Sequence, residues 1–139
     1  MSADLYDDAI KALAQASRGQ GRLEAPDVTV TVDNPLCGDR ITLDLALDGD
    51  HVSATGHQVR GCLLCEAGAA LLDRLAPGKN AAELAPLPGR IQSYLKDPAA
   101  APPIPGLEPF APARAFRSRH RCITLPFEAL RKALAERAT

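Results

Sequence analysis

Two segments of alternating polarity, followed by a tight turn into a third, constrain the fold of this chain more than any other feature. Valine occupies every second position from Asp27 to Asp33, and isoleucine or leucine does so from Ile41 to Leu47. A period of two is typical of strands that bury one face. Asp48-Gly49-Asp50 predicts a hairpin turn into a third strand from His51. Three consecutive strands with short connections indicate an antiparallel sheet.

Apolar residues at helical spacing flank these strands on both sides. Ser2 is the expected N-cap of a first helix, and Cys62 to Leu75 is predicted to form the helix after the third strand. A final helix is expected from about Leu125, with Thr124 and Pro126 as its start signals. The combination predicts an α+β fold, in which a three-stranded antiparallel β-sheet carries helices packed on one face.

Between the second and the last helix the chain changes character. A short helix capped by Asn80 and another over Gly89–Leu95 are predicted. Six prolines between Asp97 and Pro112 then predict an extended loop, because proline lacks the N–H that regular elements need.

Two features of the third strand bear on where its side chains point. Gly56 interrupts the alternation and predicts a bulge or bend. His51 and His57 have the same parity, so both are expected on one side of the strand, and neither is assigned a role.

Length and composition limit the class of protein. With 139 residues, of which 46% are apolar, the chain is expected to form one domain over residues 1–139 whose core needs no disulfides. A net charge of −1 favours neither nucleic acid nor anionic lipid as a partner. No stretch has the apolar length of a membrane span, and the N-terminus lacks the order of a signal peptide. A cytoplasmic protein with reduced thiols and no membrane partner is therefore expected.

The segment Asn34-Pro35-Leu36-Cys37-Gly38-Asp39 places a thiol and a carboxylate two positions apart on a turn between strands. Gly38 can take the positive φ of a tight turn, which lets Cys37 and Asp39 point toward one spot. Thiolate and carboxylate are both ligands for a divalent metal such as zinc. A plain β-turn, with Asp39 bonded to the backbone and Cys37 as a small buried hydrophobe, fits this motif equally well.

Two further cysteines lie at the start of the predicted second helix. Cys62 follows Gly61 at a helix N-terminus, where free N–H groups and the helix dipole stabilise a thiolate. Cys65 completes a C-x-x-C with Cys62, which is also typical of dithiol redox enzymes. Such enzymes need a parallel βαβ setting, whereas these strands are predicted to be antiparallel. Cys65 is therefore favoured as a core residue or spare ligand over a catalytic partner.

The fourth cysteine, Cys122, follows a run of basic residues: Arg114, Arg117, Arg119, His120 and Arg121. Neighbouring cations lower the pKa of a thiol, so Cys122 is expected in the most electropositive surroundings of the four. A solvated basic face is the alternative interpretation of the run. His120 is favoured as a surface residue over a metal ligand.

Three segments taken together resemble the U-type iron–sulfur cluster assembly scaffold family, the single-domain proteins related to the N-terminal part of NifU. The segments are Asn34–Asp39, Gly61-Cys62 and Arg121–Leu130. The resemblance covers nearly the whole chain and is weak from about Ala76 to Ser118. It implies the same α+β fold with a solvent-accessible metal site at one end of the sheet.

By the family pattern, the ligands of zinc, iron or a [2Fe–2S] cluster are Cys37, Asp39, Cys62 and Cys122. The resemblance implies a scaffold or sulfur carrier more than an enzyme. Such a protein accepts sulfur as a persulfide from a cysteine desulfurase and supplies apo iron–sulfur acceptor proteins. Cys37 matches the sulfur-accepting thiol of the zinc-dependent branch and Cys122 the candidate of the scaffold branch, so these two are the candidate catalytic residues.

Departures from the family pattern leave its two branches open. Arg121 stands where scaffold members carry a histidine, and the long insert between Cys62 and Cys122 is closer to the zinc-dependent sulfur-transfer branch. Cys65 is additional. A dithiol redox protein that uses Cys62 and Cys65, and a structural zinc module without chemistry, remain the alternative functions.

Overall fold

The computed structural model describes residues 7–138, with the side chains of 137 and 138 excepted. The expected N-cap Ser2 lies outside the described residues. Three strands form one sheet in the order β1-β2-β3, and both neighbouring pairs are antiparallel. They are β1 (Val28–Asn34), β2 (Asp39–Asp48) and β3 (His51–Arg60). The predicted antiparallel sheet is confirmed.

The helices of the described residues follow the sheet, except for the first. They are α1 (Asp8–Gln20), α2 (Leu63–Leu75), α3 (Ala81–Leu84), α4 (Leu87–Lys96) and α5 (His120–Ala138). Helices α1, α2 and α5 contact one another or the strands and cover one face of the sheet. Within residues 7–138, no helix combines the length and apolar character needed to cross a membrane.

The central strand supplies the middle of the core. Ile41, Leu43 and Leu45 of β2 are completely buried, and so are Ile123 and Phe127 of α5 in the same hydrophobic cluster. Burying a side chain of this size stabilises the fold by roughly 1.5–3 kcal/mol. The alternation along β2 therefore has a direct cause, since only one face of the strand meets the helices.

The last helix begins earlier than the sequence indicates. The expected start near Leu125 is wrong: α5 begins at His120, and Pro126 lies inside it. Proline cannot donate to the carbonyl four residues before it, here that of Cys122, so the ordinary start signal was misleading. Burial of Ile123 and Phe127 on the flanking turns outweighs that lost hydrogen bond.

Close packing of α2 on α5 supports the turn around Pro126. A Cβ atom added to Gly68 of α2 would meet the carbonyl oxygen of Ile123 at 2.7 Å and Pro126 Cγ at 3.5 Å. Only glycine permits this approach, so the two helices are in backbone contact at the level of the first turns of α5.

The irregularity in β3 is not at Gly56. Gly56 pairs in regular register with Asp44, whereas the register shifts between Ala46 and Leu47, so Ser53 is the extra residue on β3. The predicted bulge at Gly56 is therefore wrong. The glycine instead makes room for the chain after α1, because an added Cβ would lie 2.6 Å from the backbone nitrogen of Leu23.

The extra residue at Ser53 changes the parity of the strand, so the expectation that His51 and His57 share a side is wrong. His57 lies on the helix face and is buried. Its Nε2 is 2.6 Å from Ser17 Oγ, and its Nδ1 is 3.3 Å from Asp73 Oδ1 without the alignment of a hydrogen bond. This polar cluster joins α1, β3 and α2.

The proline-rich segment is a loop only in its first half. Residues 97–107 form turns and bends, but Glu108–Ala115 is a 3₁₀-helix that buries Phe110 and Ala113, so the predicted loop is partly wrong. Arg114 anchors the segment: its guanidinium stacks 3.8 Å from the Tyr94 ring centre and donates to two backbone carbonyls of residues 98–100. Packing of apolar residues thus orders a stretch whose prolines predicted no regular structure.

On the face opposite the helices, Asp44 is completely buried beneath the segment after α1. Arg22 Nε donates to its carboxylate at 2.6 Å, Thr29 Oγ1 at 2.6 Å and the Leu23 amide at 3.1 Å. Burial opposes ionisation of this carboxyl, but the donors outweigh burial and hold its pKa below the usual value.

Asp44→Asn is expected to lower the free energy of unfolding at about pH 7 by about 2 kcal/mol, because it weakens buried charge-assisted hydrogen bonds. The folded-state pKa lies below the unfolded value of about 3.9, so this stabilisation is present above that pH and is lost as the pH falls through the folded pKa. Urea unfolding at neutral and acidic pH measures it. The control Asp33→Asn, whose pair with Arg40 is exposed, should cost less than about 1 kcal/mol. Equal losses in the two variants would contradict the role of burial.

Candidate metal centre

Four residues from three separate parts of the chain converge at one end of the sheet. Cys37 lies in the turn between β1 and β2, Asp39 is the first residue of β2, Cys62 directly precedes α2, and Cys122 lies in the first turn of α5. The ligand atoms of Cys37, Asp39 and Cys122 all lie within 4.8 Å of one another. Cys62 is not part of that group of three, but it lies beside it, with its Sγ 3.9 Å from Asp39 Oδ2.

The β1–β2 turn points Cys37 into this cluster. The amides of Cys37 and Gly38 donate to the Asn34 carbonyl at 3.2 and 2.9 Å, and Gly38 has φ of 73°. This positive φ, as predicted, reverses the chain between the thiol and Asp39. Cys37 is partly exposed, and its Sγ lies 3.6 Å from the Ser118 carbonyl oxygen, so the turn also contacts the segment before α5.

Asp39 is held by the residues that begin α2. It is 2% exposed, and the Cys62 amide donates to its Oδ1 at 3.0 Å. A Cβ atom on Gly61 would overlap the carboxylate, so the glycine before Cys62 is required by this contact. Cys62 is the N-cap residue of α2, as the Gly-Cys pair at the strand end indicated, but sequence reasoning did not connect Gly61 with Asp39.

Cys65 and His120 lie apart from these ligand atoms. Cys65 is completely buried within the hydrophobic cluster, and burial raises the pKa of its thiol far above the usual value. His120 is also buried, with Nε2 2.9 Å from the Ala113 carbonyl oxygen, so its expected surface position is wrong. The 3₁₀-helix 108–115 packs over it, which the proline-rich sequence did not indicate.

The thiols of Cys62 and Cys122 differ in pKa because one hydrogen bond joins their sulfur atoms. A hydrogen bond from the Cys122 thiol to the Cys62 sulfur, with backbone donors of Cys65 and Leu64, lowers the pKa of Cys62 to about 7. The same bond, together with burial, raises the pKa of Cys122. The prediction that cations dominate around Cys122 is therefore wrong for its thiol, which faces Asp39, Cys37 and Cys62 while Arg121 is directed outward.

The donor set suits a tetrahedral zinc ion. At metal–ligand distances of about 2.0–2.3 Å, ligand atoms around a tetrahedral centre lie roughly 3.3–3.8 Å apart. The contact of 3.9 Å between Cys62 Sγ and Asp39 Oδ2 lies just above this range, and the ligand atoms of Cys37, Asp39 and Cys122 lie within 4.8 Å of one another. Small inward movements of these side chains would bring the atoms to metal-binding separations. Thiolates also ligate iron–sulfur clusters, so the geometry is compatible with either.

Thiol reactivity provides a direct check of this arrangement. In metal-free protein, alkylation of Cys62 by iodoacetamide is expected to reach half its maximal rate near a pH of about 7, because the thiolate is the reactive form. Cys65 on the same helix serves as the internal control and should remain unmodified until the protein unfolds. Peptide mass spectrometry after timed quenching measures both. Equal modification of the two thiols would contradict the described burial.

Comparison with known proteins gives concordant matches. The chain matches the family described as NifU-like N terminal domain over residues 5–102. It is 30% identical over 135 residues to the zinc-dependent sulfurtransferase SufU of Bacillus subtilis, a match that covers 95% of this chain and 90% of that protein. Over 79 residues it is 29% identical to the iron–sulfur cluster assembly scaffold protein IscU 1 of Archaeoglobus fulgidus, which covers 57% of this chain and 52% of that protein.

Solved structures support the same fold. The N-terminal NifU-like protein of Brucella abortus superimposes with a TM-score of 0.85 at 28% identity, covering 95% of this chain and 93% of that one. A putative iron–sulfur cluster assembly scaffold protein for the SUF system from Fervidobacterium islandicum gives a TM-score of 0.83 at 21% identity, covering 94% of this chain and 96% of that one.

Proposed function

Because the chain belongs to the NifU-like N-terminal domain family, we propose that it serves iron–sulfur cluster assembly by accepting sulfur from a cysteine desulfurase at a metal site. The observation that carries this proposal is the convergence of Cys37, Asp39 and Cys122, with Cys62 beside them, from three separate parts of the chain. Apo iron–sulfur proteins are the proposed recipients, and the cytoplasm, where thiols stay reduced, is the proposed location.

The proposed ligands are the three thiols Cys37, Cys62 and Cys122 and the carboxylate of Asp39. A bound zinc ion would keep these sulfurs deprotonated and in place. Asp39 has a second task that does not depend on the metal, since its Oδ1 accepts the Cys62 amide and thereby fixes the start of α2 against β2. Iron and sulfide, in a [2Fe–2S] cluster, are the alternative cargo of the same donors.

Cys37 is the proposed sulfur acceptor. It is partly exposed on a turn, whereas Cys122 is completely buried, so a partner reaches Cys37 with less rearrangement. The Cys37 thiolate attacks the terminal sulfur of the donor's persulfide. A new S–S bond forms on Cys37, the donor's S–S bond breaks, and the donor's cysteine leaves as a thiolate that takes up a proton. Cys122 is the proposed second acceptor, should the first turn of α5 open.

Two observations favour the zinc-dependent relay over the cluster scaffold. The similarity to SufU extends over 135 residues, whereas that to IscU 1 covers 79. The long insert between Cys62 and Cys122, which resembles that of the zinc-dependent branch, is folded and includes α3, α4 and a 3₁₀-helix. The dithiol alternative gains no support, because Cys65 is inaccessible and its pKa is raised.

Metal analysis of purified variants tests the ligand set. Asp39→Ala and Cys62→Ser are expected to lower zinc affinity by about 100-fold or more, because each removes a ligand. Cys65→Ser, one helical turn from Cys62, is the matched control and should retain wild-type zinc. Competition with a chromophoric chelator measures the affinities. Zinc loss in the Cys65 variant to the same extent would disprove the assignment.

Sulfur transfer separates a relay from a structural zinc module. After incubation with a cysteine desulfurase and cysteine, the zinc-loaded wild type is expected to gain one sulfur atom, about 32 Da, on the peptide that contains Cys37. Cys37→Ser should gain none there, and Cys65→Ser should behave as the wild type. Native and peptide mass spectrometry provide the readout. A chain that holds zinc but gains no sulfur would be a structural module.

Metal removal is expected to loosen the segments around Cys37 and Cys122 before the sheet. Zinc–thiolate sites contribute roughly 10 kcal/mol or more, whereas one hydrogen bond contributes about 1 kcal/mol, so the contact to the Ser118 carbonyl cannot replace the metal. Hydrogen exchange of zinc-loaded and chelated protein, compared peptide by peptide, measures the effect. A uniform increase that includes central β2 would instead indicate that the whole fold depends on the metal.

A further inference from the structure

A basic groove lies between α4 and α5, next to the thiol cluster. It is a cavity of about 540 Å³, and its charged lining residues are Lys96, Arg117, Arg121, Arg131 and Glu128. The four cations come from three elements: α4, the short 3₁₀-helix Arg117–Arg119, and α5. The groove therefore gathers charges that are distant in the sequence.

Positive charge in the basic groove is largely uncompensated. Glu128 is its one lining carboxylate among the described residues, and it lies 3.5 Å from Arg121 Nε. In the described part of the chain, Lys96, Arg117 and Arg131 form no ion pair with a carboxylate. The groove thus carries an excess of three positive charges, with His120 counted as neutral, on a chain whose net charge is −1. Such a concentration of one sign attracts an acidic partner.

The basic groove adjoins the proposed sulfur-accepting thiol. Arg117 precedes Ser118, whose carbonyl oxygen is 3.6 Å from Cys37 Sγ, and Arg121 precedes Cys122. The two large apolar side chains exposed in the described residues belong to the same segments: Leu36 is 91% exposed and Phe116 is 45% exposed. Apolar side chains beside a polar, charged rim are the usual composition of a protein interface.

We propose that the basic groove binds an acidic segment of the protein that donates sulfur, while Leu36 and Phe116 contact that protein around Cys37. This inference rests on the proposed function and specifies how the donor is held. Docking in the groove brings the donor's persulfide over the partly exposed Cys37 and leaves the buried Cys122 untouched.

The side chains of the groove favour a protein segment over a small anion. Lys96, Arg117, Arg121 and Arg131 are all exposed and end in long flexible chains. A tight site for a small anion needs donors that packing holds in place, and such donors are not found among these four. Flexible surface cations instead adapt to an acidic surface and accelerate its encounter with the protein.

Charge reversal at two groove positions outside the proposed ligand set tests the proposal. Lys96→Glu/Arg131→Glu is compared with Lys11→Glu/Arg74→Glu, which has the same change in net charge on exposed positions of α1 and α2. At an ionic strength of about 0.05 M, the groove variant is expected to bind a cysteine desulfurase at least about tenfold more weakly than the wild type, and the control within about twofold. The difference should nearly vanish at about 0.5 M salt.

Zinc content and thermal unfolding of both variants report whether the metal site and the fold remain intact. A labelled hexaglutamate peptide, in fluorescence anisotropy, is expected to bind the wild type and not the groove variant, whereas inorganic phosphate should compete only weakly. Competition by phosphate as strong as that by the peptide would identify a small-anion site and overturn the proposal.

The outcomes distinguish this inference from the proposed function. If the wild type gains sulfur on Cys37 but the groove variant binds the donor with unchanged affinity, the groove proposal is wrong and the proposed function stands. If the wild type binds the donor without gaining sulfur, the proposed function fails, and the groove is still judged by the loss of affinity. A variant that loses binding to an apo acceptor protein and keeps its affinity for the donor would assign the groove to the acceptor instead.

Discussion

The hydrogen bond from the Cys62 amide to the Asp39 carboxylate connects the first residue of β2 with the start of α2. It satisfies a free donor at a helix N-terminus and gives the buried carboxylate a partner, so neither group bears an uncompensated desolvation cost. Gly61 makes the approach possible because any side chain there would overlap the carboxylate. This contact holds Cys62 in place, and the Cys62 sulfur accepts a hydrogen bond from the Cys122 thiol.

The fourth member of the cluster depends on long-range packing. Between Cys62 and Cys122 the chain passes through α2, two further helices and a proline-rich segment before it returns to the sheet. The 3₁₀-helix 108–115 and the Arg114 anchor order the end of that path. Backbone contact at Gly68 packs the first turns of α5 against α2. The Cys122 thiol is therefore buried and lies next to Asp39.

Charge is divided between two sides of the same short segment. Cys122 faces the other thiols and a carboxylate, whereas Arg121 lines the basic groove, because neighbouring residues on a helix point in different directions. The arginines therefore do little for the acidity of the Cys122 thiol. Their position suits recognition of an acidic partner next to the chemistry, which separates binding from sulfur transfer within a few residues.

Much of the fold and of the site could be predicted from local patterns. The period-two segments, the Asp48-Gly49-Asp50 turn and the cap at Asn80 depend on residues that are close in sequence, and the structure confirms them. The pairing of Cys37 with Asp39 across Gly38 is equally local. The family resemblance, more than any spacing, indicated that Cys62 and Cys122 join them.

Only the tertiary structure decided where α5 begins, which side His57 faces, and that His120 is buried. Each depends on contacts that the local patterns did not indicate: Gly68 with Ile123, Ser17 with His57, and His120 with Ala113, seven residues before it. A local preference, such as that of Pro126 for a helix start, is worth a few kcal/mol at most. Burial of several large side chains stabilises the fold by more than that and therefore decides the outcome. Sequence patterns therefore determine the strands and the thiol–carboxylate turn, whereas long-range packing determines which remaining side chains meet them.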